Sequence, residues 1–335
     1  MEILSGAYSL VSRAGCRAKS ALLRAGAIRG RRAPLPVISV GNLTVGGSEK
    51  TPLVMEILAA IEGRGRRAAM VSRGYKGRWE RTGGVLSEGA GLLGGWRESG
   101  DEPYMVAARF PRAGVYLGKR RYRSCLAAAA AGFDAAVLDD GFQHIKLARD
   151  LDIVIHDPAS RAPFREGFSA LRRADVLLLK RPAAAEAAAL RSRFPRLEVH
   201  EYAVEAKGLA PLAGGGILPV DALRGRRIGA FCGIARPGRF FESLAGLGLA
   251  PGSRTAFADH FDYPDADLDR LAAGAASGRP QAFVTTEKDA AKLAGRGDRL
   301  GGVPVYVLRI GLALPSGFFA RIEDLLRSRN GAPRA

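Results

Sequence analysis

The chain has 335 residues, 47% of them hydrophobic, enough to bury a sizeable core and longer than one typical α/β domain, so two domains are expected. Its three cysteines, Cys16, Cys125 and Cys232, stand far apart with no CxxC, which excludes a cysteine metal site and fits the reduced, buried thiols of a cytosolic protein. The 51 basic residues against 33 acidic leave +18, which favours polyanionic partners such as nucleic acid, an anionic lipid surface or phosphorylated substrates; Arg dispersed over a solvated surface gives the same count.

Residues 1 to 32 come first in the chain and are distinctive. Ile3, Leu4, Ala7, Val11, Ala14, Ala18 and Leu22 recur at helical spacing, and seven basic residues oppose the single acid Glu2. The longest uncharged run, Ile3 to Ser12, is too short to span a bilayer, and no convincing cleavage site marks a signal peptide. The pattern predicts a basic amphipathic helix lying on an anionic membrane, with a plain helix packed on the domain as the alternative.

From Val37 the sequence reads VISVGNLTVGGSEKTP, an apolar run, a Gly-rich turn and then Lys50-Thr51. That order predicts a strand over Val37 to Val40 and a phosphate cradle. Gly46 and Gly47 let the backbone curl its N–H groups inward, Lys50 reaches a terminal phosphate, and Thr51 offers a hydroxyl to Mg²⁺. Pro52 suits the first turn of a helix whose Leu53, Val54, Ile57, Leu58 and Ile61 share one face, and Gly63 ends it. The loop departs from GxxxxGK[ST]: Thr44 and Glu49 stand where the two spaced glycines fall. A carboxylate at roughly 4 Å from a phosphate costs about 4 kcal/mol at an effective dielectric of 20. Glu49 is therefore expected to turn away, toward an Arg such as Arg73. Taken alone, the loop is equally compatible with a βα turn that serves only structure.

Beyond the first helix, strand and helix patterns alternate as a parallel sheet requires. Ala68 to Ser72 reads as a strand running into Arg73-Gly74-Tyr75, and residues 81 to 100 as a loop or short hairpin. GDEP, Gly100 to Pro103, puts Asp101 and Glu102 at a helix start, where carboxylates also suit the helix dipole without further purpose. Ala135 to Asp140 is a buried strand ending in paired carboxylates, as in a Mg²⁺-holding strand or a plain turn, and GFQH with His144 follows. Further strands are expected at Asp152 to His156 and Asp175 to Leu179, with Arg165-Glu166 between them reading as a surface ion pair. An Ala-rich helix ends near Pro195, and Val199 to Val204 alternates as a strand.

The Gly/Pro/Leu stretch Gly208 to Pro219 marks the expected domain boundary, giving a phosphate-loop domain at 33–207, a linker at 208–222 and a smaller α/β domain at 223–335. In the second half, strands are expected at Arg227 to Cys232, Ala282 to Thr285 and Val303 to Leu308, with helices around Phe240 and from Leu268. Thr286 reads as a helix N-cap. His260, flanked by Asp259 and Asp262, reads as a turn residue, or as a proton-handling group under the influence of its carboxylates.

The motifs VGNLTVGGSEKTP, SRGY, GDEP, DDGFQH, RE followed by LRRAD, GIARPGRF, DHFDYPD and TTEKDA occur in order between Pro36 and Leu308. Together they resemble the tetraacyldisaccharide 4′-kinase family of lipid A biosynthesis. The resemblance implies an α/β fold of two α/β/α sandwich domains, the first a P-loop NTPase-like parallel sheet, joined by a short two-stranded linker. It implies transfer of the ATP γ-phosphate to the 4′-hydroxyl of a tetraacyldisaccharide 1-phosphate, with Mg²⁺. It further implies peripheral or monotopic residence on an anionic membrane surface, at the cytoplasmic face of the bacterial inner membrane. The partners are ATP and the lipid A disaccharide precursor, with no nucleic acid.

Residue by residue, the resemblance gives ATP contacts to Thr44, Gly46, Gly47, Ser48, Glu49, Lys50 and Thr51, and the metal to Thr51, Asp139 and Asp140. Asp101 becomes the base for the sugar hydroxyl, assisted by His260; Arg120 and Arg121 are candidates to stabilise developing charge. Glu166 and His144 order the metal and phosphate surroundings. Three alternatives stand beside it: a P-loop NTPase switch or assembly factor with no lipid acceptor, a pseudokinase disabled by Glu49, and a non-enzymatic polyanion binder.

Overall fold

The computed structural model of the protein describes residues 30–46, 49–274, 280–296 and 300–330. The expected amphipathic helix of residues 1 to 32 therefore falls, up to residue 29, outside the described residues, as do Gly47 and Ser48 of the loop. The rest forms two compact units. One runs to Ala203 and resumes at Leu312; the other is Val204–Gly311.

In the first unit, the apolar runs become strands and the 3.6-spaced runs become helices. The elements are β1 (Val37–Asn42), α1 (Lys50–Glu62), β2 (Ala68–Ser72), α2 (Trp79–Thr82), β3 (Gly84–Glu88), α3 (Trp96–Ser99) and α4 (Asp101–Arg109). There follow β4 (Gly114–Leu117), α5 (Arg121–Ala130), β5 (Ala135–Asp139), β6 (Leu151–His156), β7 (Val176–Lys180), α6 (Ala184–Arg193) and β8 (Glu198–Pro211). Across the sheet the order is β8-β7-β6-β1-β5-β2-β4-β3. All neighbours are parallel except β3, which runs antiparallel to β4. β1, β2, β5 and β6 are buried along their whole length, as in parallel sheets covered on both faces. α5 packs Cys125 and Ala128 with Val71 and Leu138, and α6 packs Ala187 and Leu190 with Leu177 and Leu179.

The topology positions the site. β1 lies between β5 and β6; the chain leaves β1 toward β2 on one side and β6 toward β7 on the other. Where successive connections diverge in this way, open α/β sheets bind ligands at the carboxyl ends of the strands.

The Gly-rich stretch at residues 81 to 100 turns back on itself as the short-hairpin reading expects, with Ser87 bridging Leu92 antiparallel and Leu93 N–H donating to Leu86 O, and it also contains part of α2, all of β3 and α3. Two of its glycines answer to one side chain. A Cβ on Gly84 would lie 2.4 Å from the Trp79 ring, and one on Gly94 2.5 Å from it, so the indole rests on bare backbone.

The second unit contains β9 (Ile228–Cys232), α7 (Pro237–Gly246), β10 (Ser253–Ala256), α8 (Asp265–Gly274), β11 (Ala282–Thr286), α9 (Glu287–Leu293) and most of β12 (Val305–Ala313). Its parallel order is β10-β9-β11-β12 around Phe231, Tyr263 and Phe283 on one side and Ala230, Leu244 and Val284 on the other. Thr286 caps α9, its side chain accepting the Asp289 N–H, as expected.

The chain passes between units twice, through β8 and β12. Residues 208–211 of the expected linker lie in β8, and Leu209 pairs with Leu218. The last helix, α10 (Ser316–Asn330), counts with the first unit, not with the second as its place in the sequence suggested. Phe318, Ile322 and Leu326, four residues apart, are buried, the Leu312 N–H donates to Glu56 Oε1 at 3.1 Å, and Arg64 pairs with Glu323.

Candidate nucleotide and phosphoryl-transfer site

β1 delivers its carboxyl end beside that of β5, with Val40 in register with Asp139. The turn after β5 folds back onto it: Gly141 N–H donates to Val40 O at 2.8 Å and Gln143 Nε2 to Asn42 O at 3.0 Å. Gly41 permits this approach, since a Cβ there would lie 2.4 Å from the Phe142 Cβ. On its other flank the phosphate loop is stitched to residues 163–166. Thr44 is buried and bridges Phe164, Val45 N–H donates to Pro163 O, and Leu43 O accepts from Arg165 and Glu166 N–H. Gly46 has φ 96°, the left-handed backbone expected of a curled cradle.

Glu49 is the N-cap of α1 with φ 52°, a left-handed conformation that costs a non-Gly residue roughly 1–2 kcal/mol. Its side chain makes no capping hydrogen bond. Lys180 Nζ donates to Glu49 Oε1 at 2.7 Å, and the fully buried Tyr202 hydroxyl lies 3.4 Å from Oε2. The partner of Glu49 is thus Lys180 rather than Arg73, which pairs with Glu80 at 2.8 Å.

Lys50 Nζ lies 3.4 Å from Asp140 Oδ1 and 3.5 Å from Gly46 O, and Thr51 is buried in the first turn of α1. Asp140, at φ 53°, receives Arg165 Nη1 on both oxygens, at 3.0 and 2.9 Å. Burial pushes its carboxyl up, but Lys50 and Arg165 outweigh that and hold it down at about 2. Asp139 moves the other way. It is buried, and burial followed by the negative charge of Glu102 raises it, against Lys50 and Arg121.

Asp139 Oδ1 has no hydrogen-bond partner among the described residues. Among those residues no cluster of three His, Cys, Asp or Glu forms a metal cage. Mg²⁺ is usually held by one or two carboxylates plus phosphate oxygens, so Asp139 with the Thr51 hydroxyl fits it. Asp140 fits once Lys50 turns to a phosphate.

Asp101 is the first residue of α4 and is buried, whereas Glu102 is exposed. Gly100, at φ 86°, brings this helix start against the SRGY turn: a Cβ there would lie 2.6 Å from Tyr75 O. Arg121 is buried at the start of α5. Burial lowers its pKa, while the Asp139 and Asp140 carboxylates act in the opposite sense, so its charge is felt at the site. Arg120, by contrast, is exposed at the N-cap.

Arg165 and Glu166 are no surface ion pair with each other. Glu166 is buried and pairs with Arg173 at 2.6 Å, and Arg173 lies 3.8 Å over the Phe142 ring. His144 is half-buried, its N–H donating to Gly141 O.

His260 belongs to the second unit and is more than a solvated turn residue. At φ 68°, it places Nε2 3.5 Å from Asp259 Oδ2 and 3.4 Å from Lys288 Nζ, and Lys288 also binds Asp259 at 2.9 Å. Asp101, with which the resemblance couples it, belongs to the first unit. Sequence reasoning missed Lys180, Tyr202, Arg173 and Lys288. Each meets its partner over a sequence separation no local pattern records, from 7 residues for Arg173 to 153 for Tyr202.

A family model described as tetraacyldisaccharide-1-P 4′-kinase (LpxK) matches residues 1–327. Curated relatives named tetraacyldisaccharide 4′-kinase include one from Anaeromyxobacter sp. (strain Fw109-5), 43% identical over 307 residues, covering 84% of this chain and 80% of the relative. Another, from Geobacter metallireducens, is 36% identical over 336 residues, covering 97% of both chains. Among solved structures, LpxK from Aquifex aeolicus in complex with ATP matches at TM-score 0.76 and 28% identity, covering 97% of this chain and 99% of that one.

Proposed function

The chain belongs to the tetraacyldisaccharide-1-P 4′-kinase family, and from that premise we propose how its residues carry out the transfer. It is an ATP-dependent kinase of lipid A biosynthesis acting on the 4′-hydroxyl of a tetraacyldisaccharide 1-phosphate, and a switch without a lipid acceptor is not favoured.

The observation that carries the residue assignment is the convergence of Lys50, Thr51, Asp139 and Asp140 at the adjoining ends of β1 and β5. The N–H groups of residues 46–51 and the start of α1 cradle the β- and γ-phosphates. Lys50 exchanges its contact with Asp140 for a phosphate oxygen. Thr51 and Asp139, with Asp140, would hold Mg²⁺, which would supply positive charge to offset that of the phosphates.

Arg121 faces the same carboxylates and supplies positive charge toward the equatorial oxygens, with Arg120 available from the exposed start of α5. Asp101 accepts the proton of the attacking hydroxyl, the role that the family resemblance gives it, and it is on that resemblance alone that His260 is named as its assistant. Little proton removal precedes a loose transition state, so positioning supplies most of the acceleration. Glu166 holds Arg173, and with His144 it keeps the turns around the cradle in place.

Residues 1 to 32 rest on the anionic cytoplasmic face of the inner membrane, where the lipid acceptor is presented. Among the described residues no helix is long and apolar enough to cross a membrane. Replacing Asp139 by Asn tests the assignment: γ-phosphate transfer to the lipid is lost while the folded state persists. Full transfer by that variant would overturn it.

A further inference from the structure

Glu49 sits where a phosphate-binding loop ordinarily has glycine, and the structure shows what holds its charge. α1 begins at Lys50, and Pro52 has no N–H. Leu53 N–H is taken by Glu49 O at 3.1 Å. The donors left at this helix start are the N–H groups of Glu49, Lys50 and Thr51, the ones a phosphate uses. An anionic side chain at an N-cap is drawn to the same N–H groups and to the positive end of the helix dipole. Glu49 thus carries within the chain a competitor for the nucleotide's phosphates.

In the structure that competitor is engaged elsewhere. Its carboxylate receives Lys180 Nζ at 2.7 Å and lies 3.4 Å from the Tyr202 hydroxyl, and it makes no capping bond. Lys180 ends β7, Tyr202 lies in β8, and both come from the rigid sheet rather than from the loop. The pair is largely covered, with 25% of the Lys180 and 16% of the Glu49 side chain accessible. The other acid near Lys180, Asp157, is farther off at 3.9 Å.

We propose that Lys180 is a positioning residue for nucleotide binding: with Tyr202 it draws the Glu49 carboxylate off the helix N-terminus and leaves the phosphate cradle open. The proposal rests on the kinase reading of the loop. With Lys180 in place, Glu49→Gly removes a competitor that is already engaged, so its benefit is conditional on the loss of Lys180.

The test is a double-mutant cycle read by equilibrium Mg-ATP titration and, separately, by the KM and kcat of phosphoryl transfer. Lys180→Met should weaken Mg-ATP binding about tenfold or more, through KM rather than kcat, as expected for freeing one charged competitor. Lys180→Arg should keep most of the affinity. Adding Glu49→Gly to Lys180→Met should recover the loss, whereas Glu49→Gly alone should gain no more than about threefold.

Three results would overturn the proposal: unchanged affinity in Lys180→Met, a loss that persists when Glu49 is also replaced, or independent effects of the two changes. A persisting loss would mean that Lys180 acts on the nucleotide or on the fold directly. Failure of the kinase reading looks different, because the natural chain would then show no Mg-ATP binding in the titration at all.

Discussion

Lys50 and Asp140 are 3.4 Å apart, joining the first residue of α1 to the turn after β5. Asp140 is also bound by Arg165, so its charge remains compensated when Lys50 leaves for a phosphate. Replacing Lys50 by Met should weaken Mg-ATP binding and slow transfer together. The combined loss in kcat/KM should be roughly 10- to 100-fold, in line with about 1.5–3 kcal/mol for a hydrogen bond to a charged group. Steady-state kinetics at several ATP concentrations measures it, and an unchanged kcat/KM would remove Lys50 from the site.

Asp101 and His260 lie in different units of the fold. If they act on one proton, either Ala variant should slow transfer strongly, and the double variant should cost much less than the product of the two. Mg-ATP affinity should survive in all three. Multiplicative losses, or weakened ATP binding in either single variant, would show that the residues do not work as a unit.

The chain is held to the first unit at Arg31 and Arg32: Arg31 N–H donates to Lys146 O and Arg32 pairs with Asp150, both at 2.9 Å. Removal of residues 1–29 should therefore leave the fold intact while releasing the protein from anionic vesicles. Salt should weaken the binding of the full chain, because basic residues contribute electrostatically. Vesicle flotation that is indifferent to both the truncation and high salt would contradict this.

His156 is buried at the end of β6 between Phe164 and Phe168. Burial pushes its pKa down, with Glu186 and Asp157 acting weakly the other way. A histidine with a lowered folded-state pKa binds fewer protons than the unfolded chain, so stability falls as pH drops below the unfolded value of about 6.5. His156→Gln should flatten the decline in denaturant midpoint between about pH 7 and 5. Equal slopes for the two proteins would show that His156 does not contribute.

How much of this was legible in the sequence follows from the range of each interaction. β1, α1, β5 and the start of α4 could be read because an apolar run, a 3.6-residue period or a helix-start carboxylate is a local signal. β4 is only four residues, Gly114–Leu117, too short for alternation to declare itself. α10 was missed because its buried Phe318, Ile322 and Leu326 lie among charged residues at the end of the chain.

At the site, the motif residues were legible but their partners were not. Arg165 and Glu166 are adjacent in sequence yet serve Asp140, 25 residues back, and Arg173, on the next short helix, and neither pairing is recorded in a local pattern. Glu49 was recognised as anomalous, and the expectation of Arg73 as its partner failed because Lys180 approaches from β7, 131 residues away.

The central claim is that this site transfers the ATP γ-phosphate to a lipid disaccharide hydroxyl. The most direct measurement is incubation of the protein with Mg²⁺, γ-labelled ATP and a tetraacyldisaccharide 1-phosphate in mixed micelles, followed by separation of the lipid. Label should appear in the lipid as a phosphate monoester at the 4′ position, and it should vanish with Asp139→Asn. Release of label only as inorganic phosphate, with none in the lipid, would contradict the account.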